Sequence, residues 1–172
     1  MLSPTVTNRK SMPESGVAFG NIRERTQKAM STDQNKEVVI LWLEERDKGN
    51  WDIINELFAP DYVCHLASDP VPIRGRDKVK QMNVGSRWAF EFYATDEPDL
   101  LIAEGDLVVR RETVRLKPKD PVRGIPPTEK EAIVASIDIY RILDGRIVEQ
   151  WSHPDRFGMM YQLGNLPTPG QV

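Results

Sequence analysis

The chain predicts an α+β fold: a curved antiparallel sheet wrapped by three N-terminal helices into a cone with an internal pocket, followed by a short C-terminal helix. Two observations carry this expectation. Helical hydrophobic periods fill the first half as far as about Phe92, and from Asp99 onward the period becomes that of strands. Helices first and strands after is the α+β order, not the alternating order of a parallel sheet. The later strand-like runs are also joined by Gly105-Asp106 and Asp144-Gly145, dipeptides suited to tight hairpins between antiparallel neighbours. At 172 residues the chain is one domain of ordinary size and buries enough surface for a core without staples.

Residues 1–30 form an arm. The stretch to Gly20 is rich in Ser, Thr, Pro and Gly without periodicity, and 22–30 is a charged, helix-compatible segment too poor in apolar residues for a core. The domain spans 31–164. Ser31 with Gln34 makes a capping box, and Asp33 sits where the helix dipole favours negative charge. Val38, Leu41, Trp42 and Glu45 then give the stripe of a helix over Asn35 to Lys48, ended by Gly49-Asn50. Trp51 to Phe58 is a second, short helix broken at Pro60-Asp61, and Tyr62 to Leu66 is a short strand. After a loop with Pro70 and Pro72, Asp77 caps a third helix running to about Phe92 with Val79, Met82, Ser86 and Phe90 on one stripe. Strands follow at Leu100–Glu104, Leu107–Leu116, Glu131–Leu143 and Arg146–Trp151, the middle two separated by a proline-rich segment that resists pairing. A last helix starts at Asp155 and ends at Gly164; 165–172 is tail.

Composition removes several classes of function. With 23 Lys+Arg against 26 Asp+Glu and a pI near 5.5, there is no basic stripe for nucleic acid. The longest apolar run, Val38 to Leu43, is far short of a membrane span, and the N-terminus shows no apolar leader. One cysteine, Cys64, forms no disulfide within the chain, and two histidines, His65 and His153, do not assemble a metal shell. A cytoplasmic protein without metal or cofactor is expected.

The segments NKEVVILWLEERDKGNWDIINELFAPDYVCH, GIPPTEK and above all IYRILDGRIVEQWSHPDRFGMMYQLG resemble the SnoaL-like polyketide cyclases and ester-cyclase-like proteins. The resemblance covers Asn35 to Gly164. It implies the α+β cone shared with scytalone dehydratase, ketosteroid isomerase and limonene epoxide hydrolase. Function follows less directly, because one fold hosts many chemistries. The chain also departs from the pattern. Where the characterised cyclases carry a histidine and a catalytic aspartate around the motif's tryptophan, this sequence has Gln150 and Ser152, neither of which exchanges a proton near neutral pH. Asp155 is close by but reads as a helix cap.

Another acid is available if the last hairpin brings it to the same face. In the strand before the turn, Ile133, Ala135, Ile137 and Ile139 form one face and Ser136, Asp138, Tyr140 and Ile142 the other. A three-residue loop, Leu143-Asp144-Gly145, sets Asp138 opposite Gln150 and Ser136 opposite Ser152; a two-residue Asp144-Gly145 turn sets Asp138 opposite Trp151. The first register separates polar from apolar better and is preferred. Asp138 then shares a face with Tyr140, Gln150 and Ser152, which the resemblance implies is the concave, pocket-lining one, and desolvation there would suit a general base with a raised pKa. The alternative is a surface acid on a solvated strand.

His65, where the resembling proteins also carry histidine, is the second catalytic candidate, as donor or proton shuttle, or else a loop-bonded rim residue. His153 reads as a loop residue. Trp88, Phe92 and Met82 are candidates to wall a pocket for a flat apolar ligand, with Tyr140, Gln150 and Ser152 as its polar contacts. Arg110, Arg111 and Arg115 read as a charged outer face. The expected activity is acid/base cyclisation or isomerisation of an apolar, carbonyl-bearing substrate, with a non-catalytic binding protein as the rival. The resembling epoxide hydrolases rely on an Arg-x-Asp pair in one strand, which RRETVRL lacks. The apolar face of Ile133, Ala135, Ile137, Ile139 and Trp151 predicts a homodimer or higher assembly.

Overall fold

The computed structural model describes residues 30–93, 100–121 and 128–166. The arm to residue 29, the segment beyond 166 and most of the proline-rich connection lie outside them. Helix α1 (Thr32–Asp47) begins as expected: Ser31 Oγ accepts from the Gln34 amide at 3.2 Å, and Gln34 Oε1 accepts from the Ser31 amide at 2.9 Å. Its buried stripe is Asn35, Val38, Val39 and Trp42, spaced i, i+3, i+4, i+7. Leu41, expected inside, lies off that stripe and is exposed. Asn35 Nδ2 donates to the Gly105 carbonyl at 2.9 Å, docking the helix on a distant hairpin turn.

The second helix is shorter than the sequence suggests. A 3-10 turn (Trp51–Ile53) leads into a single α turn, α2 (Ile54–Leu57), and Phe58 already opens β1 (Phe58–Leu66). Pro60-Asp61 therefore sits inside a strand, within an irregular stretch where the register with its neighbour shifts, the place a sheet tolerates proline. After β2 (Ile73–Arg74), α3 (Arg76–Ala89) starts behind Gly75, whose φ of 87° suits glycine; Asp77 lies in the first turn and is not the cap. The helix stops before Phe90. Phe90–Tyr93 is instead β3, paired antiparallel with the far end of β5, because Phe-Glu-Phe-Tyr favours a strand and finds a partner edge.

Strands β4 (Leu100–Glu104), β5 (Leu107–Pro118), β6 (Ala132–Leu143) and β7 (Arg146–Pro154) complete a seven-stranded sheet ordered β2-β1-β7-β6-β5-β3, with β4 also on β5. Every pairing is antiparallel except β1 with β7, which is parallel. The short helix α4 (Arg156–Gln162) follows, its amide at Gly158 donating to Asp155 Oδ1 at 2.8 Å. Gln162 pins it to the start of β6 by exchanging two 2.8 Å bonds with the backbone of Ile133.

The last hairpin differs from both expected registers. Its turn has two residues, Asp144 and Gly145, at φ 51° and 74°, the positive angles of a tight hairpin, so Leu143 pairs with Arg146 and Ile142 with Ile147. The register then shifts by one: Arg141 pairs with Glu149, leaving Val148 as an extra residue in β7. Asp138 consequently lies opposite Ser152, Tyr140 opposite Gln150 and Ile139 opposite Trp151. The three-residue loop is absent, and Asp138 faces neither Gln150 nor Trp151 directly. The bulge nonetheless restores the parity that keeps Asp138, Tyr140, Gln150 and Ser152 on one face.

Two apolar clusters hold the concave side. The larger joins α1, β1, β6 and β7 around Tyr62, Tyr140, Phe58, Ile54 and Ile147, with Trp42, Phe58 and Tyr62 in an edge-to-face chain at 5.0 and 4.9 Å. The smaller gathers Leu116, Ala132, Val134 and Leu163, with Met159 and Met160 of α4 against it.

Candidate active site

Members of both clusters line one open cavity of about 1490 Å³ on the concave face of the sheet. Alternation along the strands decides which side chains enter it: Arg110 and Glu112 from β5, Ser136, Asp138 and Tyr140 from β6, Gln150 and Ser152 from β7, and Cys64 from β1. Helix α3 contributes Met82 and Trp88, and β3 contributes Phe92, so all three expected apolar contacts border the cavity. Trp88 is 66% exposed and lies at the mouth. The Arg87 guanidinium covers the Phe92 ring at 4.9 Å and ion-pairs with Asp47 of α1.

The polar floor is organised by hydrogen bonds. Asp138 is 5% exposed. Its Oδ1 accepts from Gln150 Nε2 at 2.9 Å, and its Oδ2 lies 3.4 Å from the Ser136 hydroxyl. Gln150 Oε1 in turn accepts from the Tyr62 phenol at 2.5 Å. Burial, with the nearby Asp138 charge as a smaller cause, holds the Tyr140 phenol well above its ordinary pKa. Tyr62 is raised in the same direction, again chiefly by burial. Both are neutral hydrogen-bond donors at physiological pH. Burial also pushes the Cys64 thiol up to about 11, which leaves it an inert wall residue.

One expected catalytic residue is elsewhere. His65 lies between Cys64 and Leu66, which point inward, so it projects from the opposite face of the sheet. There it bonds Glu149 through Nε2 at 2.9 Å and stacks on Trp151 at 5.5 Å. His153 is likewise exposed on that outer side, beside Ile137. The opposite correction applies to Arg110. Expected on a charged outer face, it is buried in the cavity wall, directly across from Asp138, with Nη2 2.6 Å from Glu112 Oε2. The sequence alone does not bring Tyr62, Arg110 or Glu112 to the site. The strand alternation of β5 carries the signal for the last two once the inward face of β6 is known, and Tyr62 lies two residues from inward-facing Cys64.

A family model described as SnoaL-like polyketide cyclase matches residues 36–163. The chain belongs to that family. Among solved structures it is similar to IdmH of Streptomyces antibioticus, a candidate polyketide cyclase, at 30% identity over 76% of this chain and 99% of that one, with a TM-score of 0.64. Two more distant likenesses show the shared fold. AclR of Streptomyces galilaeus, a candidate hydroxylase, is 21% identical over 80% and 100% of the two chains, with a TM-score of 0.65. An LEH-like epoxide hydrolase of M. tuberculosis is 16% identical over 78% and 92%, with a TM-score of 0.60. No curated protein matches the chain. Among the described residues no helix is long and apolar enough to cross a membrane.

Proposed function

We propose that this SnoaL-like protein is a cofactor-independent acid/base catalyst that cyclises or isomerises an apolar, carbonyl-bearing, natural-product-like molecule, with Asp138 as the base. The observation that carries the reading is a carboxylate buried at the floor of a large, partly apolar cavity and held there by hydrogen-bond donors. In the proposed reaction Asp138 takes the proton α to a carbonyl, and the electron pair moves onto the carbonyl oxygen. The protonated Tyr140 phenol donates to that developing enolate. In a cyclisation the enolate carbon then attacks a second carbonyl of the same molecule, forming a C–C bond as its C=O π bond breaks, and the alkoxide takes back the proton held by Asp138. In an isomerisation Asp138 returns the proton to a different carbon. Ser152 and Gln150 complete the polar wall, while Met82, Trp88 and Phe92 hold the apolar body. His65 takes no part. The reading includes a homodimer joined through the outer sheet face and a reducing cytoplasm, suited to a lone thiol.

The test is exchange of α-protons for deuterium in a panel of aryl ketones and 1,3-diketones, followed by NMR. Asp138→Asn keeps the shape and removes the acceptor, so catalysed exchange should fall by about 10²–10⁴-fold with folding intact. Equal rates for the two proteins would remove Asp138 from the chemistry. Tight ligand binding without any exchange by the wild type would favour the non-catalytic binding protein.

Strand β5 supports a second reading. Arg110-x-Glu112 is an arginine–carboxylate pair in one strand, a methylene longer than the Arg-x-Asp of the resembling epoxide hydrolases, and it faces Asp138. In that reading water adds across an epoxide C–O bond to give a diol. Incorporation of ¹⁸O from labelled water into diols formed from terpenoid epoxides would support it; unchanged epoxides would dismiss it.

A further inference from the structure

A glutamine amide is two-faced: turned by half a revolution, it offers a carbonyl oxygen in place of an N–H. Beside a carboxylate, one orientation is a bond and the other a repulsion. Gln150 is fixed in the bonding orientation from its far end. Its Oε1 receives the Tyr62 phenol at 2.5 Å while its Nε2 donates to Asp138 Oδ1 at 2.9 Å. Tyr62 is fully buried and, as a neutral phenol whose proton goes to Gln150, it requires an acceptor at that position. The bonds therefore run in one direction, towards Asp138.

We propose that Tyr62 is a positioning residue, acting through the Gln150 amide to orient the Asp138 carboxylate so that Oδ1 is held by the amide and Oδ2, at 3.4 Å from the Ser136 hydroxyl, is the oxygen turned to the ligand. Asp138's role as the base rests on the proposed function; the relay itself does not, and it is testable without any substrate. Gln150 stands where the resembling cyclases carry histidine, so the position keeps an N–H donor although it has lost the ability to exchange a proton.

The experiment follows the Asp138 carboxyl by ¹³C NMR in full-length protein labelled at aspartate, with Asp138→Asn identifying the resonance. A hydrogen bond to the charged form favours that form, so removing it moves the titration upward. Gln150→Leu should raise the Asp138 midpoint by about one pH unit, and Tyr62→Phe should raise it by at least about half as much. Because Tyr62 acts through Gln150, the double variant should match Gln150→Leu alone. The other groups facing Asp138 are unchanged in all three proteins: Arg110 and Glu112 on β5, Tyr140 on β6, Cys64 on β1, and Arg46 of α1 beyond Tyr140. A Tyr62→Phe midpoint equal to wild type, or single effects that sum in the double variant, would overturn the relay. If Tyr62→Phe does not fold, the wild type carries the test. Its Gln150 side-chain amide protons should exchange with solvent at least about tenfold more slowly than those of exposed Gln81, and equal rates would overturn the proposal. If the midpoints move as expected while Asp138→Asn leaves deuterium exchange unaffected, the relay stands and the assignment of the base falls.

Discussion

The two faces of β6 invert the usual rule of burial. Its inner face hides Ser136 and Asp138 beside Val134 and Tyr140, whereas its outer face leaves Ile133 57% and Ile137 48% exposed. Burying a carboxylate is costly unless donors meet it, and here Gln150 and Ser136 do. Exposed isoleucines in a row are normal singly and unusual together. The difference teaches that polarity on β6 follows the hydrogen-bond partners available inside and not burial, so the same strand meets two opposite demands that alternate residue by residue.

The contrast can be broken most forcefully from the inside. Tyr140 is fully buried between the larger core and the cavity floor. Tyr140→Ala should cost about 3–5 kcal/mol of unfolding free energy, as for other large buried aromatics, measured by urea denaturation. A loss below about 1 kcal/mol would mean that the cavity does not depend on it.

The next effect is alkaline. Cys64 on the same inner side is raised from 9.0 to about 11, chiefly by burial. A group raised in the folded state contributes its full stability below the unfolded pKa and loses it as pH climbs through the folded one. Stability should therefore decline between about pH 9 and 11, by on the order of 2–3 kcal/mol from Cys64, and the buried phenols of Tyr62 and Tyr140 extend the loss at higher pH. Cys64→Ala should flatten the first part of that slope in denaturation curves taken at pH 8 and 10.5; an unchanged slope would exclude Cys64 as its source.

From the outside the expected effect on the fold is smaller, and under the proposed homodimer the expected effect on assembly is complete. The double substitution Ile133→Lys with Ile137→Lys should change the stability of the isolated fold by no more than about 0.5 kcal/mol. Light scattering should show the wild type at twice the 19.6 kDa chain mass and the variant at that mass alone. A wild-type monomer at micromolar concentration would refute the association. Smallest of all, deletion of residues 1–20 should leave the melting temperature within about a degree, because their composition cannot offset chain entropy; a fall of many degrees would show that the arm packs.

The sequence made the sidedness of β6 legible and left its partners obscure. Ile-x-Ile-x-Ile against Ser-x-Asp-x-Tyr declares two faces. The register across the hairpin depends on a turn and a bulge together, and Val148-Glu149 carries no glycine or proline to announce the bulge. His65 was misplaced for a related reason: Tyr62 to Leu66 is β-forming throughout, and only the parallel neighbour β7 shows that Cys64 and Leu66 take the inside. Arg110 and Glu112 were hidden by a rule of thumb. Charged residues in a strand are ordinarily outside, and the exception is visible only when β5 is laid against the inward side of β6.

Val148 works on β7 as an inserted base works on a reading frame. Every residue after it is read in the other phase, so Gln150 and Ser152 come out on the cavity side while Trp151 does not. Were Val148 instead to pair with Arg141, with no bulge, Trp151 would come opposite Asp138 and an indole would replace an amide and a hydroxyl along the cavity wall. One sequence of β7 thus holds two possible walls, and a single unpaired residue decides which of them the cavity meets.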